Sequence, residues 1–202
     1  MNLLLIALTP FVGAILAATV SRLGRLYAAL AAGTVASLAL IQLLPLASDV
    51  FAGETLIQRL VWMPSVGLDV VFRLDGLGLL FALLILGIGL LIILYARYYL
   101  SERDDMGRFY AYLLMFMGSM LGIALSENII QLLIFWELTS LSSFLLISYW
   151  QDRHESRSGA RMALAVTGGG GLALLGGFLI LGDIVGSYEL SVILASGDII
   201  RA

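Results

Sequence analysis

Six long apolar runs, each close to the length of a membrane-spanning helix, divide this chain of 202 residues. A helix crosses the roughly 30 Å hydrocarbon core of a bilayer with about 20 apolar residues. A soluble domain could not bury this much apolar surface, since 61% of the residues are hydrophobic and only 12% are charged. The sequence therefore predicts an all-α integral membrane protein with a single membrane domain. The predicted helices are residues 2–20, 27–47, 75–96, 109–125, 128–149 and 162–182.

The first apolar run has a rival interpretation as a cleaved signal peptide. A signal peptide carries basic residues ahead of its apolar region, whereas here Arg22 and Arg25 follow the run. This order favours a helix that is retained in the protein.

The one long polar interval, residues 48–74, separates the second run from the third. It holds two short segments, ETLIQRLVWM and VGLDVVFRL, that flank Pro64 and Ser65. Apolar and β-branched segments on either side of a turn predict a β-hairpin. We therefore expect a short hairpin outside the membrane between helices 2 and 3. Near the C terminus, the segment SYELSVIL is too short to span a bilayer and predicts a small interfacial helix.

The placement of arginine predicts the orientation in the membrane. All eleven basic residues are arginine, and eight of them fall in one of the two alternating sets of loops. Loops enriched in Lys and Arg are cytoplasmic, so both termini and the hairpin should lie on the outer face. The eight residues of the Arg-rich loops are Arg22, Arg25, Arg97, Arg103, Arg108, Arg153, Arg157 and Arg161.

Glu137 is the strongest candidate for a functional residue, because it lies near the middle of the fifth run, ENIIQLLIFWELTSLSSFLLISYW. A charged side chain at the bilayer centre costs at least about 2.5 kcal/mol, so it persists where it faces protein or water and often marks an ion path. Thr139 and Ser140 follow closely, and at about 100° per residue Ser140 falls on the same side as Glu137. We predict a proton-translocating role for Glu137, with Thr139 and Ser140 in support.

The other titratable residues have simpler interpretations. Glu137 itself could be a structural, neutral carboxyl hydrogen-bonded to hydroxyls, but its position within a span favours function. Asp75, at the start of the third helix, is expected to interact favourably with the helix dipole, and a supporting functional role is the alternative. We interpret His154 as a surface residue in a solvated loop and Glu127 as a structural residue near the outer interface.

Other kinds of chemistry find no support in the sequence. Cysteine is absent, which excludes thiolate metal sites, and no metal-ligand spacing or nucleophile–base set is present. The run GGGG at residues 168–171 lies inside an apolar span and so predicts tight helix packing rather than a nucleotide loop, with a flexible joint as the alternative. The arginines are scattered over loops and form no strip for nucleic acid. We predict no cofactor, no metal, no nucleic-acid partner and no enzymatic activity.

Three stretches of the sequence together resemble a known family. They are DGLGLLFALLILGIGLLIILYARYYL, SENIIQLLIFWELTSLSSFLLISYW and ARMALAVTGGGGLALLGGFLIL. They look like the start of the large A subunit of the Mrp-type multisubunit Na⁺/H⁺ antiporters, which is related to the antiporter-like subunits of respiratory complex I. The resemblance is strongest from Asp75 to Leu181, and FWELTS is its most specific part.

This resemblance implies a function, a location and a site. It implies a multi-pass subunit of a cation/proton antiporter in the bacterial inner membrane, with the N terminus and the hairpin outside. The implied partners are the lipid bilayer, other subunits of the complex, H⁺ and Na⁺, with K⁺ or Li⁺ as alternative cations. Glu137 matches the fifth-helix glutamate of the family, an essential protonatable site that works with a lysine on a broken seventh helix.

The sequence departs from the family in two ways. Family members have fourteen or more helices, whereas this chain has six predicted spans and no lysine, so we expect it to be the N-terminal part of a larger subunit. Complex I relatives usually carry an aspartate in the sixth helix near the position of Gly171, and its absence here favours an Mrp-type A subunit. The alternative functions are an antiporter-like subunit of a redox-driven complex, of the complex I or membrane-bound hydrogenase type, and a non-conducting assembly scaffold.

Overall fold

The computed structural model describes residues 2–63 and 68–200. The predicted hairpin turn at Pro64 and Ser65 lies outside the described residues. Six of the described helices are long and apolar enough to cross a membrane, which confirms the predicted fold class. They are α1 (Leu3–Val20), α2 (Arg25–Phe51), α3 (Gly76–Tyr99), α4 (Met106–Leu125), α5 (Ile129–Ile147) and α6 (His154–Val185).

A two-stranded antiparallel sheet between α2 and α3 confirms the predicted hairpin. Strand β1 (Leu56–Met63) pairs with β2 (Leu68–Leu74), with Leu56 opposite Leu74 and Arg59 opposite Val71. Val71, Phe72 and Leu74 are fully buried, so β2 packs on the ends of the helices while β1 is mostly exposed. We call this end of the bundle the hairpin side and the opposite end the arginine-rich side.

Helices α2 and α6 differ most from the predicted bounds, and both are longer than predicted. Helix α2 continues through Pro45 to Phe51, because the proline removes a single main-chain donor and the buried Leu46 and Val50 anchor the last turns. Helix α6 begins at His154 rather than at residue 162, so the predicted loop around His154 is wrong. The first turns of α6 are polar and exposed, and they extend the helix about 12 Å past the apolar run.

Small side chains bring the first four helices close together. Ala28, Ala32, Ala36 and Ala39 repeat at helical spacing along α2 and are fully buried. A Cβ added to Gly89 of α3 would overlap the side chain of Met117 in α4. The core of the described chain therefore lies among α1, α2, α3 and α4, joined by residues of α5.

Helix α6 packs against α5 and leaves most of its surface exposed. Its buried residues are Ala160, Gly171 and Gly182. The predicted tight packing of the glycine run is therefore correct for Gly171 and wrong for residues 168–170, which have no described atom within 4 Å of a built Cβ. Beyond α6, the described residues form two short helices, α7 (Leu190–Ala195) and α8 (Gly197–Ile200), and α7 overlaps the segment predicted to be a small helix.

Candidate functional site

Glu137 lies near the middle of α5, as the sequence predicted. The helix starts beside Asn128, whose Oδ1 accepts hydrogen bonds from the main-chain nitrogens of Ile130 at 2.9 Å and Gln131 at 3.2 Å. Such a cap satisfies two of the main-chain donors that have no partner inside a helix. Glu137 lies eight positions after Ile129, a rise of about 12 Å in a helix about 28 Å long. The local sequence therefore places this carboxyl deep within the span.

The carboxyl group of Glu137 lies against Gly171 of α6. A Cβ added to Gly171 would overlap the Oε1 atom of Glu137 and would lie 2.8 Å from its carboxyl carbon. Oε1 is buried, and no group in the described part of the chain donates a hydrogen bond to it. A buried charged oxygen without a donor is energetically costly, and a bound proton or a cation would remove that cost. The glycine thus creates the space that the carboxyl group occupies.

The hydroxyl groups beside Glu137 are bonded within their own helix. Thr139 and Ser140 both donate to the main-chain oxygen of Trp136, at 2.6 Å and 3.3 Å. Ser140 is buried, on the side of α5 predicted for it. Ser and Thr side chains in membrane helices commonly bond the carbonyl one turn earlier. In this arrangement neither Thr139 nor Ser140 donates to the carboxylate, so their supporting role stays a prediction.

Asp75 lies apart from Glu137, at the start of α3 on the hairpin side. Its Oδ1 accepts a hydrogen bond from the main-chain nitrogen of Gly78 at 2.8 Å, which makes Asp75 the N-cap of the helix. Its Oδ2 lies 3.2 Å from the guanidinium of Arg73. This geometry is that of a capping residue at the positive end of a helix dipole.

A buried ion pair next to this cap was missed by the sequence analysis. Glu127 is only 1% exposed, and its Oε2 lies 3.4 Å from a guanidinium nitrogen of Arg73. Its Oε1 accepts a hydrogen bond from the main-chain nitrogen of Ser191 at 2.9 Å. The pair therefore joins strand β2, the α4–α5 link and helix α7. We call Arg73, Asp75 and Glu127 the hairpin-side cluster.

The main chain reinforces the same junction. The nitrogen of Glu127 donates to the oxygen of Val71 at 3.0 Å, and the oxygen of Glu127 accepts from Leu190 at 2.7 Å. Arg59 of the hairpin bonds both Asp69 and Glu189, and its hydrogen bond to Glu189 raises the pKa of this guanidinium. The hairpin and the segment after α6 are thus tied to the start of α5, the helix that carries Glu137.

A cavity of about 380 Å³ opens beside the hairpin-side cluster. The three charged residues of that cluster line it, together with apolar side chains such as Leu77, Phe81 and Leu194. In the described part of the chain, no group of three or more His, Asp or Glu side chains could hold a metal ion.

The arginine-rich side is held together by contacts between loops. Arg25 donates to the main-chain oxygens of Leu100 and Ser101, and Arg108 donates to the oxygen of Tyr149 at 3.1 Å. Burial raises the pKa of Tyr149 to about 12. Burial acts to raise the pKa of Asp104, but hydrogen bonds from Trp150 and Ser101 outweigh it, so the pKa of Asp104 is lowered.

The fold and the site together define a class: a multi-pass membrane protein with a carboxyl group held inside a span. Two family models match the chain. Residues 62–110 match the N-terminus of chain 5 of NADH-ubiquinone oxidoreductase (complex I), and residues 126–198 match the transmembrane region of NADH:quinone oxidoreductase and the Mrp antiporter. The chain is therefore similar to the membrane subunits that these two models describe.

Curated relatives agree with the predicted resemblance to an Mrp-type A subunit. The chain is 49% identical over 194 residues, 96% of its length, to the A/B subunit of a probable K⁺/H⁺ antiporter of Rhizobium meliloti. It is 51% identical over 153 residues, 74% of its length, to the A1 subunit of the Na⁺/H⁺ antiporter of Staphylococcus haemolyticus. In both cases it spans 19% of the relative. The match of this chain to the N-terminal part of an Mrp-type A subunit is therefore confirmed.

Solved structures share the fold. The Mrp complex from Dietzia sp. DQ12-45-1b matches 96% of this chain and 21% of its own chain, with a TM-score of 0.80 and 28% identity. The archaeal membrane-bound sulfane sulfur reductase matches 94% of this chain and 29% of its own, with a TM-score of 0.78. The identity in the second case is 21%, so that likeness shows the fold alone.

Proposed function

We propose that this chain is part of a membrane subunit of a multisubunit cation/proton antiporter and that Glu137 carries protons in it. The relatives of about 50% identity are named as K⁺/H⁺ and Na⁺/H⁺ antiporter subunits, which supports this class of function. The observation that carries the role of Glu137 is its buried Oε1 atom, which lies inside a span and has no donor among the described residues.

In this proposal, protonation and deprotonation of Glu137 alternate during transport. The carboxylate accepts a proton from one side of the membrane, which removes the cost of a desolvated charge without a hydrogen bond. A cation that approaches the carboxylate favours its charged form, and so favours release of the proton. The proton and the cation therefore favour opposite forms of the Glu137 carboxyl group, and this couples the flow of protons to the flow of cations.

The cation that opposes Glu137 must come from outside these 202 residues or from the transported ion. The sequence contains no lysine, and an arginine guanidinium stays protonated at physiological pH. The matched region is only 19% of each of these curated relatives, so their remaining helices and the other subunits are the expected source of a titratable ammonium group. The proposed cargo ions are H⁺ and either Na⁺ or K⁺.

The proposed orientation places the arginine-rich side in the cytoplasm of a bacterial cell, with the assembly in the inner membrane. The enrichment of arginine in the loops of that side supports this orientation. The N terminus and the hairpin then lie outside, and the hairpin-side cluster lines a cavity near the outer surface.

An antiporter-like subunit of a redox-driven pump is the second candidate, favoured by the match of residues 62–110 to the complex I family. Inside-out vesicles that contain the complete assembly distinguish the two. We expect addition of sodium or potassium to collapse an imposed pH gradient without any electron donor. A gradient that responds to an electron donor and to neither cation would support the redox pump instead.

A scaffold without transport activity is the third candidate. It predicts normal assembly of the other subunits and no dependence of transport on Glu137. Transport that persists at the wild-type rate after Glu137→Gln would therefore support the scaffold.

A further inference from the structure

A groove of about 770 Å³ runs between α2 and α3 on a side of the bundle that is remote from Glu137. Apolar side chains from both helices form its walls, and most of them are exposed in the described structure. They are Leu30, Leu38, Ile41, Leu90, Leu91 and Leu94. The groove therefore presents a continuous apolar surface along two membrane-spanning helices.

Two small residues of α2 contribute to the groove. Gly33 and Ser37 line it, and a Cβ added to Gly33 would meet only the side chain of Ile93, at 4.0 Å. The lining of α2 runs from Leu26 to Ile41, about 22 Å along the helix axis. That length exceeds the roughly 15 Å share of one leaflet in a 30 Å hydrocarbon core. One acyl chain therefore fits along the groove from the interface inward.

Arg97 closes the groove at the arginine-rich side. It is half-buried, and within the described residues no carboxylate or carbonyl group accepts a hydrogen bond or forms an ion pair with it. Its guanidinium carbon lies 6.0 Å from the centre of the Tyr98 ring. Arg25, at the same end, is already bonded to Leu100 and Ser101. Among the described residues that line the groove, Arg97 thus supplies a guanidinium without a carboxylate or carbonyl partner.

The tyrosines around Arg97 mark the level of the lipid headgroups. Tyr95, Tyr98 and Tyr99 are 62%, 81% and 62% exposed, and the rings of Tyr95 and Tyr99 stack at 5.0 Å. Exposed tyrosines are typical of the membrane–water interface, where one edge of the ring is apolar and the other is hydrated. Of the three, Tyr98 lines the groove, so this end of the groove has the exposure that is typical of the headgroup level.

We propose that this groove binds one anionic phospholipid, with the phosphate group on Arg97 and an acyl chain between α2 and α3. Charge and shape both support this proposal. Arg97 is half-buried at the headgroup level and has no anionic partner among the described residues. The apolar groove extends from it over more than the length of one leaflet. Arginine is well suited to phosphate because its planar group donates two parallel hydrogen bonds. The lipid covers an apolar surface of α2 and α3 that is otherwise exposed in the described structure.

Native mass spectrometry of the intact assembly tests this site. The assembly is purified from membranes, delipidated, and titrated with phosphatidylglycerol or with phosphatidylcholine. We expect one phosphatidylglycerol to bind with an affinity about fivefold higher in the wild type than in Arg97→Gln, the ratio expected for one arginine near a charged lipid surface. Arg103→Gln, which changes an exposed loop arginine on the same side, should bind as the wild type does.

A second variant tests the apolar part of the site. Gly33→Phe places a ring in the base of the groove and leaves Arg97 in place, so it should also reduce retention of the lipid. Equal binding of phosphatidylglycerol by the wild type and Arg97→Gln would overturn the proposal, as would equal binding of phosphatidylcholine and phosphatidylglycerol by the wild type. Loss of a protein subunit from the Arg97→Gln assembly would overturn it too, because the groove would then be a protein interface.

Discussion

The carboxyl group of Glu137 and the Cα of Gly171 lie in direct contact across the α5–α6 interface. A Cβ at position 171 would overlap the Oε1 atom, which is buried and has no donor among the described residues. The two residues are 34 positions apart in the sequence, yet the packing of α6 on α5 brings them together. The glycine leaves room for the carboxyl group, and the carboxyl group accounts for the one glycine of the GGGG run that is buried.

Substitution of Gly171 by alanine should impair transport. The added methyl group would force the Glu137 side chain into another rotamer or push α6 away from α5. We expect Gly171→Ala to lower the cation-dependent collapse of a pH gradient at least several-fold, in vesicles with normal amounts of assembled protein.

The neighbouring glycine supplies a matched control for this change. A Cβ on Gly170 meets no described atom within 4 Å, and alanine favours a helix over glycine by about 1 kcal/mol. Gly170→Ala should therefore transport at the wild-type rate. Equal rates for Gly170→Ala and Gly171→Ala would contradict the proposed importance of the contact.

Close packing of α4 on α5 should make Gly122 sensitive to substitution. A Cβ on Gly122 would overlap the ring of Phe135, which also packs 6.1 Å from the ring of Phe72. Overpacking of this kind costs about 1–3 kcal/mol. Gly122→Ala should lower the thermal unfolding midpoint of the purified protein, whereas Gly87→Ala, with open space around its Cβ, should not. A midpoint for Gly122→Ala at or above that of Gly87→Ala would contradict this packing.

The buried ion pair of Arg73 and Glu127 should matter more for stability than the exposed pair of Arg59. Removal of one partner from a buried pair leaves an uncompensated charge and costs about 3–5 kcal/mol. An exposed pair contributes about 0–1 kcal/mol. The side chain of Arg59 is 44% exposed. Arg73→Met should therefore lower the thermal unfolding midpoint far more than Arg59→Met does.

Hydrogen exchange adds a local readout of the same pair. Because Glu127 accepts a hydrogen bond from the main chain of Ser191, Arg73→Met should also speed amide exchange in α7. Similar midpoints and similar exchange in α7 for Arg73→Met and Arg59→Met would show that the hairpin-side cluster does not hold this junction.

The lowered pKa of Asp104 predicts an acid-dependent loss of stability on the arginine-rich side. A carboxyl group whose folded pKa lies below its ordinary value of 3.8 stabilises the fold above that value. The stabilisation decreases as the pH falls through the ordinary value and disappears below the folded one. Asp104→Asn should therefore lower the unfolding midpoint at neutral pH and reduce its decrease in acid.

Asp152→Asn, an exposed change on the same side, is the control for this titration. Its midpoint should follow that of the wild type at every pH. If Asp104→Asn and Asp152→Asn both followed the wild type, the hydrogen bonds of Asp104 to Trp150 and Ser101 would have no role in stability.

The features that the sequence predicted correctly are those that depend on nearby residues. Six apolar runs of bilayer length are enough to predict six spans, and two short apolar segments around Pro64 are enough to predict a hairpin. The position of Glu137 within α5 follows from the same counting. The predicted start of α6 was wrong because the first turns of this helix are polar and so do not belong to an apolar run.

The contacts between distant residues could not be predicted in this way. Arg73 and Glu127 are 54 positions apart, and nothing in either segment indicates that they meet. Gly171 is one of four consecutive glycines, and only the rotation of α6 against α5 determines which of them faces Glu137. The hydrogen bonds of Thr139 and Ser140 to Trp136, in contrast, are local contacts that a helix alone predicts. In any helix the carbonyl three or four residues earlier is within reach of a Ser or Thr hydroxyl group.

Transport in vesicles that contain a Glu137→Gln variant tests most directly whether Glu137 carries protons. Inside-out vesicles with the complete assembly receive an imposed pH gradient, then sodium or potassium, at matched protein levels. Glu54→Gln, a change of an exposed carboxyl group outside the spans, is the control. We expect the cation to collapse the gradient in the wild type and in Glu54→Gln and to leave it intact in Glu137→Gln. A wild-type response in Glu137→Gln would contradict the proposal that this carboxyl group carries the proton.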